Sequence, residues 1–230
     1  LKKYSYSLFL LFIIFVSSCF VVLLASRTGW ITNLLIHLLF VIFHLKNRSL
    51  KKIHILFGLS IVLCFTLMNK IPSIKSRSNE ITNSSTFITE KKQIKYTSST
   101  NTRKLAWETS FELIKQNLLF GLGIGNSTKK LNEAYESKGY KSLKNKSINC
   151  HNEFLQYQLD HGLIGSIFLI FFTFVMLIIN IKEKNFTYAL FLILIIINFS
   201  TESMLETQSG VVFFSFFNTL FFYNWVDKKF

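Results

Sequence analysis

Six stretches of the chain are continuously apolar, and polar segments separate them. They run from about Ser7 to Ala25, Trp30 to Leu45, Ile53 to Met68, Leu163 to Asn180, Phe186 to Phe199 and Val211 to Trp225. None alternates polar with apolar residues, as the strand of a membrane barrel would. Such runs predict helices, because a helix satisfies its own backbone hydrogen bonds in hydrocarbon. Several fall short of the roughly 20 residues a span prefers, so flanking interfacial residues must complete them. The expected fold class is all-α: a polytopic membrane protein of about six transmembrane helices with one large loop.

The polar segments set the orientation. Lys2 and Lys3 precede the first run, and Lys46, Arg48, Lys51 and Lys52 separate the second and third. Lys182 and Lys184 separate the fourth and fifth, and Lys228 and Lys229 follow the sixth. Six spans put all of these on one side, which the positive-inside rule makes the cytoplasm. Both termini then lie in the cytoplasm. The opposite side receives Ser26-Arg27-Thr28-Gly29, the loop from roughly Asn69 to Asn152, and Ser200 to Gly210. The long loop is also basic, but long loops are exempt from the rule. The chain thus divides into residues 1–70 with three transmembrane helices, a large outer loop over 71–152, and three further helices over 153–230.

Within the loop, Ser73 to Thr102 is rich in Ser, Thr, Asn and Lys and reads as poorly ordered. From Arg103 the pattern changes. Trp107, Phe111, Ile114 and Leu118 recur at helical spacing, which predicts an amphipathic helix on the membrane surface or against the spans. Gly121-Leu122-Gly123-Ile124-Gly125 stops it. These glycines follow a helix rather than a strand, so they read as a turn and not as a nucleotide-binding loop.

Composition agrees with the pattern. Half of the 230 residues are hydrophobic and 26 are Phe, which favours a membrane protein. The net charge of +14 would suggest nucleic acid for a soluble protein. Here it is spread over membrane loops, and no nucleic-acid partner is expected. Cys19 and Cys64 lie in apolar runs as packing residues, and Cys150 adds neither a disulfide framework nor a zinc pattern, so no metal is expected. The first apolar run lacks a small-residue cleavage motif and is read as a span rather than a signal peptide.

The candidate chemistry gathers at loop ends. His151, in Cys150-His151-Asn152-Glu153-Phe154-Leu155, sits where the loop meets the fourth span. It is either a solvated helix-start residue or a proton carrier near neutral pH. Arg27 follows the first span and is either a lipid-phosphate anchor or a guanidinium that grips a substrate phosphate. Arg103 opens the amphipathic helix, with Trp107 one turn on; a cation is slightly unfavourable at a helix start, which a bound phosphate would explain. Glu202 and Glu206, in the last outer loop, are positioned to pair with Arg27 or Arg103, to bind an acceptor, or to remain solvated. A thiol nucleophile at Cys150 has no support beyond its neighbour His151.

Taken in order, Ser26-Arg27-Thr28-Gly29, Arg103 with Trp107, Phe120-Gly121-Leu122-Gly123-Ile124-Gly125-Asn126, His151-Asn152-Glu153-Phe154-Leu155 and Gly162-Leu163-Ile164-Gly165 resemble the O-antigen ligase and O-antigen polymerase superfamily. The resemblance covers roughly Ala25 to Gly165. It implies a GT-C-like enzyme of the bacterial inner membrane, with the large loop on the periplasmic face. The donor it implies is a glycan on undecaprenyl pyrophosphate. The acceptor is a lipid A–core sugar for a ligase, or another glycan repeat for a polymerase. No metal or other cofactor is implied. Arg27 and Arg103 would hold the pyrophosphate, and His151 would be the base that activates the acceptor hydroxyl. Members usually have around ten or more spans, so this chain resembles the C-terminal portion of such a protein. A membrane transporter subunit or an inactive fragment is the alternative of another class. Against a transporter, the polar chemistry lies outside the spans, with His37 and His44 the exceptions.

Overall fold

The computed structural model describes residues 13, 16–18, 20–21, 29–35, 38 and 99–227. The chain divides into two units, Leu1–Asn83 and Ser84–Phe230. Every described residue of the first unit is helical, and there the Thr32 hydroxyl donates to the Gly29 carbonyl at 3.0 Å. The first three expected spans and Arg27 lie almost wholly outside the described residues, as does the Ser73 to Thr102 segment up to residue 98.

The second unit is helical, with no strand among the described residues. Its helices are α1 (Ser99–Gln116), α2 (Asn126–Ser137), α3 (Lys141–Asn145), α4 (Glu153–Lys182), α5 (Phe186–Thr201) and α6 (Gln208–Asp227), with a 3-10 turn at Met204–Glu206 before α6. The last three match the expected fourth, fifth and sixth apolar runs. Helix α4 is long and apolar enough to cross a membrane. Ile164, Ile167, Phe168 and Phe171 on it are all more than half exposed, whereas the core helix of a soluble protein is mostly buried.

Two cores organise this unit. In the first, Ala106 and Ile114 of α1 meet Leu131 and Tyr135 of α2, Leu143 of α3, Cys150 and Leu159. In the second, Leu169 of α4 packs with Tyr188, Phe191, Leu192, Ile195 and Phe199 of α5. Phe191 and Phe221 join α5 to α6 with ring centroids 5.1 Å apart, and the Tyr188 hydroxyl donates to Asn218 at 2.9 Å. Such hydrogen bonds join apolar helices without placing a charge between them.

The amphipathic helix expected from the spacing exists. Ala106, Thr109, Ser110 and Ile114 are buried, whereas Phe111 and Leu118 are half exposed. Small residues allow α1 to approach its neighbours closely, while Phe111 is turned outward. The helix is already formed at Ser99, ahead of Arg103. Arg103 therefore sits a full turn inside, and the dipole penalty expected of a cation at the helix start does not apply to it.

The glycine turn is seated on α4. Gly121 and Gly162 both have positive φ, 69° and 67°. Leu122 N–H donates to the Leu159 carbonyl at 2.6 Å, Gly123 N–H to Asp160 at 3.0 Å, and Leu163 N–H to Leu118 at 2.9 Å. Gly162 interrupts α4 with φ 67° and ψ −164°, a region open essentially to glycine alone. The freed backbone groups of the kink pair with the loop instead of with the helix. A Cβ at Gly162 would collide with the Leu119 carbonyl.

Candidate functional site

The approach to α4 positions His151 through its neighbours. Helix α1 presents Trp107, whose indole N–H donates to the Cys150 carbonyl at 2.8 Å. The buried Cys150 thiol lies 3.1 Å from the Ser110 hydroxyl. Together these fix the peptide just before His151. His151 itself has φ 46°, an uncommon backbone state for a side chain of its size. Its N–H donates to the Asn149 side-chain oxygen at 3.1 Å, which steadies that conformation.

Asn152 then caps α4. Its side-chain oxygen accepts from the Leu155 N–H at 3.1 Å, satisfying one of the unpaired donors of the first turn. Its amide donates to the Ser200 carbonyl at 3.1 Å, and its backbone N–H to the Ser203 hydroxyl at 3.3 Å. The buried Glu153 accepts from the Leu205 N–H at 2.7 Å. These bonds tie the start of α4 to the segment after α5 and carry Glu202 to His151.

At the centre, one carboxylate joins both sequence candidates. Glu202 Oε2 lies 2.8 Å from His151 Nδ1, and Glu202 Oε1 accepts a hydrogen bond from Arg103 Nη2. Arg103 and His151 are each about 29% exposed and Glu202 about 46%, so the cluster is reachable from solvent. Partial burial alone would raise the Glu202 carboxyl. The His151 hydrogen bond and the Arg103 charge outweigh burial and hold it below its ordinary value. An ionised Glu202 can only accept, so His151 Nδ1 must carry a proton. When the ring is neutral, Nε2 then holds the free lone pair.

Glu206 joins the site through Asn149. Asn149 Nδ2 donates to its Oε2 at 2.6 Å. Burial raises this carboxyl above its ordinary value, and the Asn149 hydrogen bond opposes that only in part. Asn149 thus links the His151 backbone to Glu206. Cys150 is excluded as a nucleophile: burial pushes its thiol up to about 12, and a thiol that remains protonated is inert.

Of the sequence candidates, the structure joins Arg103, His151 and Glu202 directly. Trp107 and Glu206 are one residue away, through Cys150 and Asn149. Arg27 lies outside the described residues. The supporting residues Asn149, Asn152 and Ser203 were not singled out from the sequence. Asn152 alone had a readable signal, as an N-cap type before an apolar run. No group of His, Cys, Asp or Glu that could hold a metal ion occurs among the described residues.

A helical protein with a membrane-length apolar helix, and with an imidazole and a guanidinium bridged by a carboxylate at that helix's polar end, is the class that fold and site define. The O-antigen ligase family model matches residues 12–170, and the chain belongs to that family, which is a family of membrane proteins. No curated protein and no solved structure matches the chain.

Proposed function

We propose that this protein transfers a glycan from undecaprenyl pyrophosphate to a sugar hydroxyl of lipid A–core, at the periplasmic face of the bacterial inner membrane. Membership of the O-antigen ligase family supports a ligase- or polymerase-type function. The observation that carries the finer reading is the bridge from Arg103 to His151 through Glu202.

The roles follow from the residue types. The acceptor hydroxyl attacks the anomeric carbon of the donor sugar, and the bond from that carbon to the pyrophosphate oxygen breaks. His151 Nε2 takes the hydroxyl proton. Glu202 then balances the imidazolium across the Nδ1 hydrogen bond. Negative charge grows on the leaving pyrophosphate, and Arg103 meets it with the guanidinium donors that Glu202 does not use. Arg27 supplies the second guanidinium. One displacement of this kind inverts the anomeric configuration. Six spans, with the loop over 71–152 periplasmic and both termini cytoplasmic, complete the proposed arrangement.

The test is genetic. The gene is deleted, then complemented with the full chain as wild type or as His151→Ala, and the lipopolysaccharide is separated on a gel. Loss of the whole ladder on deletion, restored by wild type and not by His151→Ala, supports the ligase. Core bearing a single repeat assigns a polymerase instead. A normal ladder from His151→Ala removes the base.

A further inference from the structure

The first turn of α4 buries polar side chains. Glu153 is 2% exposed and Gln156 1%, and their spacing of three positions puts them on one face of the helix. Burying a carboxyl is costly, so its partners decide what it can do. The hydrogen bond that Glu153 makes is to backbone: its Oε2 accepts from the Leu205 N–H at 2.7 Å, inside the 3-10 turn Met204–Glu206. Glu202 stands two residues before that turn, and Glu206 ends it.

Gln156 grips the opposite partner of the same contact. Its side-chain oxygen accepts from the Cys150 N–H at 3.4 Å, and its amide donates to the Ser127 hydroxyl at 3.3 Å. One turn of α4 therefore holds the peptide before His151 through Gln156 and the turn after Glu202 through Glu153. An acid in the first turn of a helix also favours the helix through its dipole. That contribution needs the charge but no particular side-chain length. The bond to Leu205 is the reverse: protonated or ionised, a carboxyl has an oxygen for that N–H, so the bond depends on reach and not on charge.

We propose that Glu153 is a positioning residue for the glycan transfer. By holding the Leu205 N–H it sets Glu202 against His151 Nδ1, and so leaves Nε2 to take the acceptor proton. A free neutral imidazole moves its proton between its two nitrogens; the Glu202 carboxylate at Nδ1 fixes one tautomer. Glu153 touches neither the ring nor a substrate and acts through the turn alone. Its effect on the transfer rate rests on the function proposed above, whereas its effect on the His151 ring does not.

The full chain is reconstituted in nanodiscs with isotope-labelled histidine. Nitrogen NMR above neutral pH reads which nitrogen of the neutral His151 ring carries the proton, and His151→Gln assigns the signal. Glycan transfer is measured on the same samples. Glu153→Gln keeps an oxygen at the same reach without the charge, and is expected to keep the Nδ1–H form and most of the transfer. Glu153→Leu removes the acceptor, and Glu153→Asp keeps the charge but draws it back by one methylene. Both are expected to populate the Nε2–H form. Both should also lower transfer at least about tenfold, because a misplacement of about 1 Å can cost roughly 100-fold. Where Glu153→Leu does not fold, the milder Glu153→Asp carries the test. An unchanged Nδ1–H form in Glu153→Asp and Glu153→Leu overturns the proposal, as does its loss in Glu153→Gln with Glu153→Asp like wild type. A wild type without transfer removes the transfer reading and the rate effect with it, and the ring signal still decides whether Glu153 sets the contact.

Discussion

His151 Nδ1 and Glu202 Oε2 lie 2.8 Å apart although 51 positions separate them in the chain. The contact places an acceptor-only group against one ring nitrogen and so decides which nitrogen is left for chemistry. Arg103 shares the same carboxylate from α1. Three segments that meet nowhere in the sequence therefore form one charge arrangement of cation, anion and imidazole.

Glu202→Gln should lower glycan transfer roughly 100-fold in membrane vesicles. The amide still accepts a hydrogen bond, but it no longer balances an imidazolium or the guanidinium. Wild-type rates in this variant would mean that the bridge is structural only.

The two outer-loop carboxylates should respond oppositely to pH. Glu202 is held below its ordinary value, so its contribution to stability is present above about 4.5 and is lost as pH falls through the folded value. Glu206 is raised by burial, so its charged form opposes folding. That opposition grows as pH rises from the ordinary value to the folded one. Glu206→Gln should leave the thermal transition at pH 7 unchanged or higher, whereas Glu202→Gln should lower it, with the Glu202 difference fading as acid protonates the wild-type carboxyl. Thermal scans at pH 4 and pH 7 check both signs.

Cys150 should resist alkylation in the folded protein. Its side chain is fully buried and its thiol is pushed up to about 12. With Cys19 and Cys64 replaced by Ser, a maleimide should label the native chain at least about 100-fold more slowly than the denatured chain. Rapid native labelling would show that the α1 contact around Ser110 opens.

Gly162→Ala should destabilise the second unit by about 3 kcal/mol or more. The substitution faces a positive φ and a collision with the Leu119 carbonyl at once. The expected readout is a lowered thermal transition, with transfer activity lost in parallel because the same kink lies about three turns after the Asn152 cap. A transition unchanged within a degree would mean that the kink is dispensable.

Much of the site was readable in part. His151 and Arg103 were candidates from their residue types and their places at the loop ends. Glu202 was a pairing candidate, but its partner was open between Arg27 and Arg103. Periodicity marked Trp107, Phe111, Ile114 and Leu118 of the amphipathic helix, but not the close packing through Ala106, Thr109 and Ser110. Spacing alone cannot tell which small residues of a helix meet a neighbour.

The sequence alone determined the apolar runs that became α4, α5 and α6, a helix from Arg103 onward, the glycine turn, and the residue types at the site. All of these are local: run length, periodicity and turn chemistry act within a few residues. Only the tertiary structure decided that Glu202 joins Arg103 and His151, that Asn149 and Asn152 hold that junction, and that the glycine turn seats on a break at Gly162. Those relations depend on segments up to 99 positions apart. Such distances are fixed by the packing of α1, α4 and α5 and by the hydrogen bonds among their ends, and neighbouring residues carry no record of them.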